Sequence, residues 1–323
     1  MNDNPTVSIV IPTYNRCNEV QAAISSALAQ TYTNTEIIVV DDGSSDGTSD
    51  VLARFGSRIR FVRQENAGAS AARNHGVRVS KGQLIAFLDS DDLWLPRKIE
   101  RQVAVMQLAG HGVPCCLCNI QLAYLNGNLG SSFDLSLLSP ALEEGVWQNV
   151  LEVLATRFVL FNQAVAVRRD ALDAVGGFDE TCRFMEDHDL ALRLALLGPW
   201  GFIRSPLVIW HQGTKDSLTT RAKNDPVALQ ETVCSIYRKV IGLSESTHQP
   251  KRAQHRLILE LMKSELRLRA ERCIRSKSKA RRLFGHAIKQ LEHYADKLYT
   301  NSPLYPAMET TAAWQHSSSV PSS

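Results

Sequence analysis

No run of about eighteen or more apolar residues occurs in the 323 residues of this chain, so no membrane-spanning helix is expected. The first dozen residues, MNDNPTVSIVIP, lack the charged, apolar and small-residue order of a secretory leader. Seven cysteines, an odd number irregularly placed, argue against a disulfide framework and favour a reducing compartment. These absences lead to the expectation of a non-spanning, cytoplasmic protein. The CCLC cluster of Cys115, Cys116 and Cys118 has no further Cys or His nearby at zinc-ligand spacing, so it is expected to supply small buried thiols on a strand. Balanced charge is also missing from one region. The net charge is only +3, yet residues 251–282 hold twelve Lys or Arg against three Glu. Such a block suits an anionic surface, either membrane headgroups or nucleic acid, or simply a solvated helix face. It contains no interleaved aromatics to stack on bases, which argues against nucleic acid.

Short apolar runs alternate with helix-like segments over residues 1–110, the pattern of parallel strands joined by crossover helices. VSIVI (7–11), EIIVV (36–40), IRFV (59–62) and LIAFL (84–88) read as the strands. Between the first two, Val20, Ala23, Ile24, Ala27 and Leu28 recur at helical spacing and should lie across the sheet. The fold class expected is α/β, an open sheet whose strands run into PTYNR, DDGSSDGT, ENAGASAARN and DSDD. Ligands bind beyond the carboxyl ends of such strands, and these four polar loops should converge on one edge. Beyond residue 110 the alternation weakens, and 119–164 carries no legible motif beyond the turn NGNLG. MEDHDLALRLALLG reads as a helix with Leu190, Leu194 and Leu197 on its apolar face, followed by a strand in FIRSPLVIWH. Further on, Phe284, Ile288, Leu291, Ala295 and Leu298 fit one helical stripe, and the Ser-, Thr- and Pro-rich tail 301–323 is expected to be disordered.

DDGSSDGT puts Asp42, Ser44, Asp46 and Gly47 at positions one, three, five and six of a calcium loop, but position twelve, which needs a bidentate Glu, is Ala53. A turn capped by Asp46 or Thr48 accounts for Asp46 and the glycines and leaves Asp41 and Asp42 without a role. FLDSDDLW sets Asp89, Asp91 and Asp92 within four residues at a strand end, where they repel one another. An N-cap ahead of LPRKIERQV needs only one of them. A hard divalent cation accounts for the cluster, because Mg2+ or Mn2+ takes one or two carboxylates and fills its shell with phosphate oxygens.

VSIVIPTYNR, EIIVVDDGSSDGT, ENAGASAARNHG, LIAFLDSDDLW, and GGFDE followed by MEDHDLALRL, in this order, resemble glycosyltransferase family 2. The resemblance covers roughly the first 220 residues. It implies a GT-A fold, a Rossmann-like, mostly parallel sheet flanked by helices, here with a C-terminal helical extension. Residues 1–110 would form the nucleotide-sugar-binding half, 111–225 the acceptor-binding and catalytic-base half, and 226–300 the basic helical extension. It further implies an inverting transferase that depends on Mn2+ or Mg2+ and most often uses a UDP-sugar. Residue by residue, it puts Pro12 and Tyr14 beside the nucleobase, Asp42 on the uracil with Asp41 as the weaker candidate, and Arg73 near the base or diphosphate. Asp89, Ser90 and Asp91 match the DxD signature, with Asp91 on the metal and Asp89 on the donor ribose or sugar. Because the run is DSDD, Asp92 is a second candidate for the metal. His211 matches a His that often completes the metal shell, against the plainer reading of a His capping a strand. Asp187 matches the catalytic base, which takes the acceptor hydroxyl's proton as that oxygen attacks opposite the diphosphate. Glu186 is its neighbouring alternative, and both carboxylates also suit a helix N-terminus. Lys215 and Arg221 are candidates to close over the phosphates, or else flexible surface charges.

Further absences narrow this reading. A nucleotidyltransferase usually has a glycine-rich basic loop after its first strand, and PTYNR is no such loop. The family's processive synthases carry membrane spans and a QxxRW motif, and neither is present, so transfer of a single sugar to a saccharide or lipid-linked saccharide is expected. A catalytically silent nucleotide-sugar binding module is the rival from another class, and the intact carboxylate set stands against it. The 251–282 block is expected to make peripheral contact with the inner face of the membrane, where lipid-linked acceptors are met.

Overall fold

The computed structural model describes residues 4–123, 129–211, 222, 224–247, 249–300 and 307–312, without the side chains of Leu129 and 291–300. Strands β1 (Val7–Thr13), β2 (Thr35–Asp41), β3 (Arg60–Arg63) and β4 (Leu84–Phe87) are parallel, in the order β3-β2-β1-β4. β1 and β4 are buried along their whole lengths, which is why their sequences are unbroken apolar runs rather than alternating ones. The crossovers are α1 (Val20–Leu28), α2 (Thr48–Ala53) and α3 (Ala69–Val79). α1 buries Val20, Ala23, Ile24 and Ala27. Leu28, expected on the same face, is exposed, because the helix stops there and the chain turns away.

The remainder supplies β5 (Leu93–Trp94), α4 (Lys98–Ala109), β6 (Cys115–Ala123), β7 (Leu129–Ser131), α5 (Ser132–Leu135) and β8 (Glu144–Trp147). It continues with α6 (Val150–Leu154), β9 (Val165–Arg168), α7 (Arg169–Ala174), α8 (Glu186–Ala195) and β10 (Trp200–His211). β9 lies antiparallel between β4 and β6, and β10 runs parallel to β6. Both halves therefore share one sheet, in the order β8-β10-β6-β9-β4-β1-β2-β3, in which β6 and β10 run in the same direction as β1–β4 while β9 and β8 run against them, and a single core spans residue 110. β6 carries Cys115, Cys116 and Cys118, all fully buried, as expected for small thiols on a strand. Of the turn NGNLG, residues 126–128 lie outside the described residues; the strands it joins, β6 and β7, pair antiparallel.

The extension is α9 (Pro226–Ser246), α10 (Lys251–Ile274) and α11 (Lys279–Thr300). α9 starts with Pro226 in its first turn and Asp225 as N-cap, accepting from Ala228 N at 3.3 Å. α10 turns Ala253, Leu257, Ser264 and Leu268 inward. On α11 the expected stripe buries Ile288 but leaves Phe284 exposed, while Leu291, Ala295 and Leu298 lie outside the described side chains. Leu197, expected on the face of α8, is exposed and lies beyond that helix, which ends at Ala195. Part of the 301–323 segment is ordered: β11 (Thr310–Thr311) pairs with β8 at the sheet edge. No helix among the described residues is long and apolar enough to cross a membrane.

What brings α3 close to the sheet is the missing side chain of Gly76. A β-carbon there would sit 2.4 Å from Val10 Cγ1 and 3.3 Å from Val40 Cγ2. Gly76→Ala is therefore expected to destabilise the fold by about 1–3 kcal/mol despite better helix propensity. Urea unfolding checks this: the midpoint should fall with an unchanged m-value.

Candidate active site

The four polar loops do meet along the carboxyl edge of the sheet, and side chains on each tie them together. Asn15, held at φ 50°, donates its N–H to Ser44 Oγ (2.9 Å) and accepts from Ser45 N on Oδ1 (2.9 Å). Arg16 N donates to Thr48 Oγ1, and Cys17 N to Asp46. Asp41 is fully buried and accepts from Ser44 N and Ser49 Oγ, with Arg63 at 3.6 Å. Asp42 accepts from Gln64 Nε2 (2.7 Å), Ala67 N (2.9 Å) and Gly68 N (2.8 Å). The pair that the turn reading left without a role thus has a structural one: Asp41 folds its own loop, and Asp42 fastens the next. Pro12 is buried at the end of β1, and Tyr14 is exposed at the rim.

Arg73, expected by the base or diphosphate, stands near the start of α3. It is buried, and its guanidinium donates from Nη2 to Asp89 Oδ1 (2.7 Å) and from Nη1 to Glu186 Oε1 (3.1 Å), lying 5.2 Å over the Phe178 ring. Burial opposes its charge, but Asp89 and then Glu186 outweigh burial and hold its pKa above the ordinary value. The neighbouring Asn74 fastens the GGFDE loop, accepting from Phe178 N and donating to Phe178 O and Glu180 Oε1. Two motifs far apart in sequence are thereby locked to adjacent residues of one helix.

The acidic residues of DSDD divide. Ser90 is buried, and Asp89 is partly exposed beside Arg73. Asp92 is buried and accepts from His211 N at 3.3 Å and from the Gln163 side chain. Burial, then Asp89 and Asp91, push its carboxyl well above the usual range. Asp92 is thus a strut to β10, and Asp91 is the carboxylate left facing out, 3.9 Å from Arg16 Nε. The Asp91 pKa is also raised, by burial and then by Asp89, with Arg16 working the other way. His211 is exposed with Nδ1 3.3 Å from the Asp91 carbonyl, so the tautomer that donates there leaves Nε2 as a free lone pair. Among the described residues no three His, Cys, Asp or Glu side chains are grouped to hold an ion alone. The rim fits a hard cation as an incomplete oxygen-and-imidazole shell in need of further oxygens, and raised carboxyl pKa values are what an unneutralised shell gives. Lys215 and Arg221 lie outside the described residues.

Asp187 stands in the first turn of α8, after Met185 at φ 59°, and its Oδ1 accepts from His188 N at 2.8 Å. Burial and then Glu186 push its pKa up to about 7, with Arg73 lowering it and Asp89 adding to the rise. Glu186, the alternative base, is held by Arg73, so Asp187 keeps the freer carboxylate. Beneath it His188 is buried between Phe158 (5.8 Å) and Tyr237 (6.2 Å), with burial pressing its pKa down to about 4. Asp189, fully buried, accepts from Arg193 Nε (2.9 Å) and Nη2 (2.5 Å) and from Lys239 Nζ (2.8 Å), and Lys239 also bonds Asp179. Sequence reasoning missed Asn74, Gln163, Asp189, Arg193 and Lys239. Asn74 follows Arg73 inside a quoted motif, and Asp189 with Arg193 shows i,i+4 spacing; Lys239 and Gln163 give no sequence signal.

Residues 8–126 match the family model described as Glycosyl transferase family 2. An uncharacterized glycosyltransferase of Rickettsia typhi is 30% identical over 253 residues, 76% of this chain and 77% of that one. The chain belongs to glycosyltransferase family 2. It spans less of some longer relatives, 34% of a Rickettsia felis glycosyltransferase that is 32% identical over 206 residues. The Escherichia coli UDP-Glc:alpha-D-GlcNAc-diphosphoundecaprenol beta-1,3-glucosyltransferase WfgD is 46% identical over 106 residues, 32% of this chain and 42% of WfgD. The S. aureus TarS 1–349 structure in complex with UDP-GlcNAc superposes with TM-score 0.65 at 16% identity, covering 93% of this chain and 89% of that one. The Pyrobaculum calidifontis mannosyltransferase PcManGT, in complex with GDP-Man and Mn2+, gives TM-score 0.55 at 18% identity over 94% and 83% of the chains. These two likenesses establish the GT-A fold of this family 2 glycosyltransferase.

The raised Asp187 pKa has a consequence for stability with a definite sign. The folded value of about 7 lies above the ordinary carboxyl value, so the stability contribution is complete below about pH 4 and is lost as pH rises through 7. Asp187→Asn is expected to stabilise the protein by roughly 1–3 kcal/mol at pH 8 and negligibly at pH 4. Thermal unfolding of both proteins at the two pH values measures it; equal Tm at pH 8 would refute the burial argument.

Proposed function

We propose that this glycosyltransferase moves one sugar, with inversion, from a nucleoside-diphosphate sugar, UDP-linked, to a lipid-linked saccharide. The observation that carries this reading is Arg73 bonded at once to Asp89 of the rim and to Glu186 beside Asp187. Because of it, the acidic rim and the carboxylate that titrates near neutrality keep a fixed separation. The UDP-GlcNAc bound by TarS and the diphosphoundecaprenol-linked acceptor in the name of WfgD support the donor and acceptor classes.

Asp187 acts as the base. Its Oδ1 is engaged by His188 N, so Oδ2 receives the acceptor hydroxyl proton while that oxygen bonds the anomeric carbon and the bond to diphosphate breaks. A pKa of about 7 leaves a useful fraction ionised at neutral pH and keeps it basic enough to accept the proton. Asp91, with His211 beside it, would hold Mg2+ or Mn2+, which when bound supplies positive charge against the leaving diphosphate. Asp89, oriented by Arg73, is set to accept from donor hydroxyls, and Tyr14 offers an exposed ring at the nucleobase end of the rim. On the acceptor side stands Phe158, exposed, packed on the His188 that follows Asp187, and on the same segment as Gln163, which bonds Asp92. Its ring is a stacking platform for the acceptor sugar.

Calorimetry with UDP-, GDP- and dTDP-sugars in the presence of Mn2+, followed by transfer assays, tests this reading. Asp91→Ala should lose metal-dependent donor binding. Asp187→Asn should bind donor as the parent does and lose transfer by about 10²–10⁴-fold; undiminished transfer by that variant removes it as base. A chain that binds donor and transfers nothing to any lipid-linked acceptor would be a silent binding module. Separately, Phe158→Ala is expected to raise the acceptor KM severalfold with the donor KM unchanged, and steady-state kinetics in both substrates decides it.

A further inference from the structure

α10 has two faces of opposite use. Several of its cations are already paired: Arg252 Nε bonds Glu152 of α6 at 2.7 Å, and Lys263 bonds Glu260 of the same helix at 2.8 Å. Outward, Lys251, His255, Ile258, Met262, Leu266 and Arg269 succeed one another at spacings of four and three, which is one line along a helix. Leu259 stands beside this line. The four large apolar side chains are exposed, Ile258 43%, Leu259 46%, Met262 61% and Leu266 41%. Among the described residues, Lys251 and Arg269, the cations at the two ends of this ridge, have no acidic partner. Glu265, the acid at its margin, is neutralised by Arg238 at 2.6 Å. The turn after α10 adds Lys277, and the start of α11 adds Lys279 and Arg281 and then Leu283 (62%) and Phe284 (63%), at the end where Arg269 sits.

We infer that the outward ridge of α10 docks the protein on an anionic lipid surface, with Ile258, Leu259, Met262 and Leu266 entering the headgroup region and Lys251 and Arg269 meeting lipid phosphates. A ridge of flexible aliphatic side chains bordered by unneutralised cations is the pattern of an interfacial helix. A second copy of the chain fits it worse. Antiparallel pairing sets Lys251 against Arg269, and parallel pairing sets each against itself, so like charges face one another in both.

This docking does not depend on the proposed transfer, and its test reads binding alone. Full-length protein is sedimented with vesicles of phosphatidylcholine and with vesicles of phosphatidylcholine and phosphatidylglycerol, at low and high salt. Expected are binding to the anionic vesicles only, weakening with salt, a roughly fivefold loss for each of Lys251→Ser and Arg269→Ser, and near-complete loss for the double variant Leu259→Glu, Met262→Glu. Circular dichroism and donor-binding calorimetry of each variant are expected to match the parent, since these side chains are exposed. The inference is overturned if the parent binds neither vesicle or both equally, if the substitutions leave binding unchanged, or if light scattering shows a dimer that the double Glu variant dissolves.

Discussion

The buried guanidinium of Arg73 is the constraint on which the rest of the site depends. Asp89 comes from the end of β4 and Glu186 from the start of α8, and nothing in the backbone ladder connects those two places directly. One planar cation with forked donors reaches both carboxylates, and burial makes each of those bonds stronger than it would be in water. The same burial makes the arrangement intolerant of losing Arg73, because the two carboxylates are then left without a counter-charge. The Phe178 ring under the guanidinium and the Asn74 bonds to the Phe178 backbone extend the brace to the loop that leads into α8.

A second set of charges holds α8 from the other side. Asp189 is two residues past Asp187 and is fixed by Arg193 of its own helix and by Lys239 of α9. Lys239 also bonds Asp179 in the GGFDE loop, so the helical extension is built into the support of α8 and Asp187. Tyr237, on the same helix, donates to the Ala155 carbonyl and borders the neutral His188. Within the extension, α9 braces α8 from inside, and the exposed ridge lies on the separate helix α10.

The rim shows how a fold can carry carboxylates that repel. Asp92 is taken up by the His211 amide and Gln163, Asp89 by Arg73, and Asp91 alone keeps an outward position with a distant Arg16. Of the rim's candidate metal ligands, Asp91 and the His211 imidazole are the least engaged within the fold among the described residues. Burial and then the neighbouring carboxylates also raise the Asp187 pKa, and in the proposed reaction the rim would meet the diphosphate while Asp187 takes the proton.

Much of this was legible in the sequence, and the reasons are local. Strands covered on both faces must be continuous apolar runs, so 7–11, 36–40 and 84–88 announced themselves, while 59–62 forms a largely exposed edge strand; the polar residues after each had to lie at one edge. Periodicity failed where helices end: Leu28 and Leu197 continue a pattern that the backbone does not, and Phe284 keeps the spacing without a partner to cover it. The antiparallel insertion of β9 and the edge strand β11 follow from pairings between distant segments, for which short runs give no signal. The division of labour within DSDD, the structural use of Asp41 and Asp42, and the reach of Arg73 to Glu186 were likewise decided in three dimensions. The sequence by itself determined which chemistry collects at the edge, since residue type and strand ends are properties of neighbours along the chain. Which carboxylate faces solvent and which braces the fold depends on what the tertiary structure brings within about 3 Å, and no linear spacing encodes that.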